Sequence, residues 1–264
     1  MKTFSMTLLS MLALAIALPA MAAPTGTVYG NGGSTNGTLR WMNSAKKYVV
    51  TNAKGMSIEY EADDVDRVDV DRPKALDAAI KKVKGGSAAS AVADLEAIAK
   101  EYAHLTYDLE ATQWLAEAYL KQGNAAKAIT ACEAIIRNNA EAAYMGAMAP
   151  AYWKALTKDG KASKLSLLLD KAIASGDPEV AAAALVARGN AAMERGSNRA
   201  NCEEALRDGY LRVILLYADA TSDAYPEALY MGAKAFDGMG QGNRANKLRE
   251  QLKANCPNSD WARK

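Results

Sequence analysis

The chain has 264 residues and a formal net charge of +2, from 32 Lys and Arg against 30 Asp and Glu. That balance excludes a general nucleic-acid binder, which carries a strong basic excess. Two phenylalanines stand among abundant alanines. Small side chains let helices approach closely, which favours stacked helix pairs over a sandwich with a bulky core.

Residues 1–22 have the three parts of a secretory signal peptide. Lys2 gives a positive start, residues 4–18 form an uncharged apolar run, and Pro19 precedes Ala20-Met21-Ala22, so cleavage is expected after Ala22. The apolar run is shorter than the ~20 residues a membrane span needs, and no later segment reads as a span. No cysteine follows the run to carry a lipid. After cleavage the chain is expected outside the cytoplasm, with no stable membrane insertion.

Residues 25–71 read as a small β-rich module. Gly26, Gly30, Gly32, Gly33 and Gly37, with Asn31 and Asn36, predict a flexible or tightly turning start. Strand-like runs follow at 38–43, 46–52 and 56–62, separated by the turn signals Asn43-Ser44-Ala45 and Asn52-Ala53-Lys54-Gly55. Residues 65–70 alternate valine with charge, the period of a strand with one buried face. The segment resembles a small SH3-like module. A sheet of this size is marginal alone, so it is expected to lean on the first helices and to cap them. Seven carboxylates (Glu59, Glu61, Asp63, Asp64, Asp66, Asp69 and Asp71) fall in this region. They are numerous enough for a calcium shell but lack the EF-hand order. Strand alternation instead makes Asp66, Arg67, Asp69 and Asp71 a solvated face, the stronger of the two readings. No metal site is assigned.

From Pro73 onward the apolar residues fall at helical spacing. Turn signals recur at Gly85-Gly86, Gly123-Asn124, Gly160, Gly196 and Gly240–Gly242, and successive turns lie 37, 37, 36 and 44 residues apart. A period in the thirties made of two helices and a turn is the signature of a helical solenoid. Residues 73–257 are therefore expected to form about five helix-turn-helix units, followed by a tail over 258–264. The unit after Gly196 is irregular. Its apolar residues Leu206, Tyr210 and Val213 come late, behind what reads as a polar insertion at 197–204.

The clearest unit runs through Thr112, Leu115, Ala116, Tyr119, the turn at Gly123, and then Ala128, Cys132 and Ile135. The last uses Leu229, Phe236, Gly240, Ala245, Leu252 and Pro257. A middle unit has Leu156, Gly160, Leu165, Leu169, Ala172 and Pro178, and a fainter first one has Gly86, Ala91, Leu95 and Ile98. In this pattern the segment resembles the tetratricopeptide-repeat family. The resemblance implies a mainly α fold, a superhelix of paired helices, here preceded by the small antiparallel β-module. The closing stretch 225–261 resembles the terminal repeat of exported cell-envelope members of that family, which implies a periplasmic or secreted protein.

Catalytic groups are scarce. His104 is the single histidine, and its place near a helix end beside Tyr102 or Tyr107 reads as structural. No phosphate loop is present, since GMGQGN at 238–243 follows a helix rather than a strand. The cysteines lack paired metal-ligand spacing. Cys132, on an apolar helix face, reads as a small buried residue, and Cys202 with Cys256 is the pair expected if a disulfide forms. The chain is read as a non-enzyme with no cofactor.

A solenoid generates a groove by its geometry. The resemblance implies that the first helix of each unit lines it, which points to Gln113, Glu117, Lys121, Lys154, Asn190, Tyr230 and Lys234 as groove residues. Trp114 and Trp153 read as core between helices. Trp41 and Trp261 lie where the core is thin, so one of them, Trp41 first, is expected to cover an edge or touch a partner. The leading reading is an exported scaffold or adaptor for protein or peptide partners of the cell envelope. The rival is a structural subunit of an envelope or surface assembly that self-associates.

Overall fold

The structure is a computed structural model describing residues 23–30, 32–220 and 222–264, so the expected signal peptide lies outside the described residues. Among the described residues no helix is long and apolar enough to cross a membrane.

The module at the start is a five-stranded antiparallel sheet: β1 (Thr25–Gly30), β2 (Gly33–Met42), β3 (Lys47–Thr51), β4 (Ser57–Glu61) and β5 (Val65–Val70), in the order β4-β3-β2-β1-β5. One element corrects the sequence reading. The stretch expected to be flexible or turning is mostly strand, β1 and the first half of β2, paired from Thr25 with Thr38 to Gly30 with Gly33; the turn signal holds at Gly32, at φ 71° between the two strands. Gly26, Gly30 and Gly37 answer to crowding. A Cβ on Gly26 would lie 2.1 Å from the Asp69 carbonyl oxygen, and one on Gly37 would lie 2.2 Å from that of Thr51. Glycine in a strand interior marks such close backbone approach. A 3₁₀ turn at Ala62–Asp64 carries the chain from β4 to β5 at the other sheet edge. Val28, Leu39, Val50 and Tyr60 are buried and belong to the same apolar core as Leu76, Ala79 and Val83 of the first helix. The sheet leans on the helices, as its small size requires.

The helices follow in pairs. These are α1 (Lys74–Lys84) with α2 (Val92–Glu101), α3 (Tyr107–Lys121) with α4 (Ala125–Ile136), and α5 (Ala149–Lys158) with α6 (Ala162–Ile173). Next, α7 (Pro178–Glu194) pairs with α8 (Arg199–Ala205) and α9 (Leu211–Leu216), and α10 (Ala224–Gly238) pairs with α11 (Gly242–Asn255). Local chemistry sets the starts. The Asn124 side chain accepts from Lys127 N at 3.1 Å to cap α4, directly after Gly123 at φ 73°. Asp177 caps α7 by accepting from Glu179 N and Val180 N, with Pro178 in the first turn, where no N–H is needed. The turn glycines expected at 86, 123, 160, 196 and 240 all have positive φ.

First helices stack side by side. α1 packs on α3, α3 on α5, α5 on α7 and α7 on α10, and this row forms one continuous layer. The central member α7 buries Ala181, Ala182, Ala184, Leu185, Val186, Gly189 and Ala192, more than one face, because it has helices on several sides. It therefore touches both halves of the core: Ala184 belongs to the half that starts in the sheet, and Leu185 to the half that ends in α11.

The irregular fourth unit holds the second correction. The polar stretch 197–204 is not an insertion before the helix. Asn198 accepts from Asn201 N at 3.0 Å and starts α8 at once, burying Cys202 and Ala205. The late apolar residues Leu206, Tyr210 and Val213 continue the same helical run, which passes through a π-helical turn, Leu206–Tyr210, between α8 and α9. Inside it Gly209 meets Gly189 of α7. A Cβ on Gly209 would lie 2.8 Å from the Gly189 backbone, and one on Gly189 would lie 2.5 Å from the Tyr210 ring. The two helices cross almost backbone to backbone.

Candidate functional site: a groove along the first-helix layer

The row α3–α5–α7–α10 lines a groove of about 760 Å³. Five residues expected there are brought together: Gln113 and Glu117 from α3, Lys154 from α5, Asn190 from α7 and Lys234 from α10. Glu117 holds the Lys154 ammonium at 2.9 Å across α3 and α5, and Lys158 binds Glu194 at 2.6 Å across α5 and α7. These rungs tie neighbouring helices at the groove wall; exposed pairs of this kind contribute ~1 kcal/mol or less.

Asn190 does more. Tyr210 donates its hydroxyl to Asn190 Oδ1 at 2.8 Å, and Asn190 Nδ2 donates to Glu227 Oε1 at 2.9 Å. The π turn is what aims Tyr210 from the outer helices towards the groove. Burial pushes the Tyr210 phenol well above its ordinary range, so it remains a donor. Burial also pushes the Glu227 carboxyl up, against the Asn190 hydrogen bond and the charges of Lys264 and Lys154, which lower it. The groove thus has a half-buried acid in its lining, held by a side-chain relay. Apolar surface comes from Val186, Met193 and Met231.

Two expected groove residues lie elsewhere. Lys121 donates to the Val83 carbonyl at 2.8 Å and ties α3 to the end of α1 instead. Tyr230 is not in the lining itself; it packs on Trp261, with ring centroids 5.4 Å apart, and Trp261 is in the lining. The tail returns to the groove because Ser259 caps a 3₁₀ turn, Asp260–Arg263, by accepting from Ala262 N at 3.1 Å.

Trp41 is engaged within the molecule. Its ring sits 4.8 Å from Tyr48 and 4.6 Å from His104, and Tyr48 donates to the His104 carbonyl at 3.3 Å. His104 is therefore beside Trp41 and Tyr48 of the sheet, in the turn before α3. That turn has His104 at φ 61° and Thr106 at φ 75°, and it is anchored by buried Asp108, which accepts from His104 N at 2.9 Å. Trp153 is core, with its indole N–H on the Ala143 carbonyl at 2.9 Å.

Cys202 and Cys256, the pair named for a disulfide if one forms, stand as free thiols, and so does Cys132. Cys202 is fully buried, and its sulfur lies where a Cβ on Gly238 would come within 2.8 Å, which places it in the α8–α10 packing. Burial pushes the Cys132 thiol up to about 12, out of reach of thiolate chemistry at neutral pH. In the acidic segment Lys47 lies 3.3 Å from Glu59 and 2.9 Å from Glu61, and Arg67 pairs with Asp69 at 2.9 Å. Among the described residues no group of three or more His, Cys, Asp or Glu is placed to hold a metal ion.

Glu227, Glu194, Met193 and Met231 were not legible as site residues. Glu227 in AYPEALY reads as an ordinary acid in a helix's first turn; only the packing of α7 along α10 half-buries it.

Residues 110–142 match the family model of the tetratricopeptide repeat. The matched stretch covers most of α3, all of α4 and the turn beyond, with Thr112, Ala116, Ala128 and Cys132 almost fully buried between the two helices and their neighbours. Solved structures similar to the chain include the nearly identical TPR-like repeats of a Podosopora anserina protein described as a kinesin light chain. It is 19% identical, with 69% of this chain and 92% of that one covered and a TM-score of 0.48. PilW, described as a widely conserved type IV pilus biogenesis factor, is 17% identical over 72% of this chain and 95% of that one, with a TM-score of 0.37. No curated protein matches the chain.

Proposed function

We propose that this protein is a non-catalytic scaffold whose groove holds an extended segment of a protein partner, and that it works in the cell envelope after export. The observation that carries the reading is the convergence of side chains from four successive first helices on one groove of about 760 Å³. Its lining pairs charges across helices and also carries apolar surface from Val186, Met193 and Met231, a combination suited to a peptide with alternating polar and apolar contacts. The export half of the reading rests on the signal-like pattern of residues 1–22.

The test is capture from cross-linked envelope extract by the chain starting at Ala23, beside a blocked variant, Ala187→Trp. Ala187 lines the groove without belonging to the fully buried core. Partners held by the native chain and lost by a normally folded Ala187→Trp protein support the groove. Equal capture by both sinks it. A self-associating structural role is favoured by one observation: Leu215 and Leu216 are 77% and 66% exposed at the end of α9. Sedimentation of the native chain and of a Leu215→Glu, Leu216→Glu variant separates the two, since only self-association through that patch predicts a native oligomer that the variant lacks.

A further inference from the structure

The α10 end of the groove differs from the rest. Glu117 and Glu194 are each neutralised by a lysine from α5, Lys154 and Lys158. Glu227 and Asp223, also in the lining, form no ion pair with any described residue. Beside them stand the rings of Trp261 and Tyr230, 5.4 Å apart. Two of the chain's own ammonium groups already gather there. Lys264 Nζ lies 3.3 Å from the centre of the Trp261 ring and 5.7 Å from that of Tyr230, and Lys234 Nζ lies 5.8 Å from Tyr230.

An ammonium over an indole face is attracted by the ring quadrupole, most strongly where water is partly excluded. A half-buried carboxylate without a contacting counter-ion adds a second attraction of the same sign. Lys264 is the more replaceable of the two lysines. It follows a single 3₁₀ turn, and its backbone N–H makes a long, 3.4 Å bond to the Trp261 carbonyl, whereas Lys234 belongs to α10.

We propose that Trp261, Tyr230 and Glu227 form a cation site that takes the ammonium of a partner's lysine side chain, and that Lys264 fills it in the free protein. This inference rests on the groove reading for the partner's peptide nature, while the cation site itself can be tested without it. Lys264 acts as an internal competitor, so a ligand must displace it, and removing it exposes the site's own affinity.

The probe is n-butylammonium, a lysine side chain without its backbone, followed by the indole N–H resonance of Trp261 in ¹⁵N-labelled protein. Trp261→Phe identifies that resonance. Butyrate and butanol serve as the anionic and neutral counterparts. Lys264→Ala is expected to bind butylammonium saturably and about tenfold more tightly than the native chain, the scale of a desolvated cation–π contact. Glu227→Gln in the Lys264→Ala background is expected to lose most of that gain. Because the glutamine can still accept from Asn190, loss of folding does not explain the result. No saturable shift in Lys264→Ala, or an equal shift with butanol, overturns the proposal.

Display of random decapeptides on the same two proteins separates this idea from the groove reading. Retained peptides with no lysine enrichment keep the groove and remove the cation site. Butylammonium binding with no peptide retained keeps the site and removes the groove.

Discussion

In the α3/α4 pair the turn glycine Gly123 has a left-handed backbone with open space around it, whereas in the α7–α9 unit the glycines that matter, Gly189 and Gly209, sit in mid-helix with no space at all. One pair is shaped by its turn and closes on ordinary side-chain packing of Leu115, Ala116, Ala128 and Cys132. The other is shaped by a backbone crossing, and it needs a π turn to bring Gly209 and Tyr210 to α7 at the right height. The regular pair matches the repeat family; the irregular one supplies the relay that ends on Glu227 in the groove. Regularity here builds the scaffold, and the departure from it builds the site. π turns inside α-helices occur often at functional positions for this reason.

If that contrast is right, the largest effect belongs to Gly209→Ala. The new methyl would meet backbone on two sides, the Gly189 N and Cα and the Leu185 carbonyl oxygen, each at 2.8 Å. Backbone cannot rotate away as a side chain can, so the expected loss is about 3 kcal/mol, the upper range for overpacking. Urea unfolding followed by circular dichroism reads it. A loss below that of Gly123→Ala would break the crossing account.

Gly123→Ala comes next. Its cost is conformational alone, because nothing lies within 4 Å of the added carbon while φ is 73°. A non-glycine residue there costs about 1–2 kcal/mol. Gly123→Asn, which tolerates this conformation better, should recover part of the loss in the same measurement, and Gly209→Asn should recover none.

Tyr119→Phe tests the regular pair at smaller scale. The hydroxyl donates to Glu96 Oε1 at 2.5 Å, and burial pushes the phenol up to about 12. Glu96 is exposed and regains water when the partner goes, so the expected cost is only ~1 kcal/mol. A loss comparable to Gly209→Ala would mean that side-chain hydrogen bonds, not close packing, hold the regular pair.

The same contrast explains what could be read from the sequence. Helical periodicity and turn glycines repeat locally, so the five pairs and the burial of Leu95, Leu156 and Leu229 were visible in spacing, while the groove placement of Glu117, Lys154 and Asn190 was implied by the family resemblance. β1 was not, because Gly26, Gly30 and Gly37 serve contacts with strands far along the chain, and a lone strand gives glycine no such reason. Lys121 shares the helical spacing of its groove neighbours, yet the nearby end of α1 offers the Val83 carbonyl and diverts it. The stretch 197–204 read as an insertion because its residues are mostly polar, although α8 begins within it at Arg199, and the π turn then shifts the apolar period that follows. Trp261 and Lys264 follow the last helix, and nothing in the local pattern of 258–264 shows that the chain folds back onto α10.

The smallest effect, and the sharpest test of the relay, is the pH dependence of Glu227. Its folded carboxyl is raised by burial above the ordinary value of about 4.3. A raised acid binds its proton more tightly in the folded than in the unfolded chain. Its contribution to stability is therefore fully present below the unfolded value and is lost as pH rises through the folded one. Glu227→Gln keeps the acceptor for Asn190 Nδ2 and removes the charge, so it should be more stable than the native chain at neutral pH. The difference should shrink as pH falls towards 4 and vanish below it. Thermal unfolding of both proteins at intervals from pH 4 to pH 8 measures the gap. A gap that is constant across the series would show that Glu227 ionises as freely in the groove as in water. A gap of the opposite sign at neutral pH would show that Lys264 and Lys154, rather than burial, govern the carboxylate, and that the cation site is already saturated by the chain's own lysines.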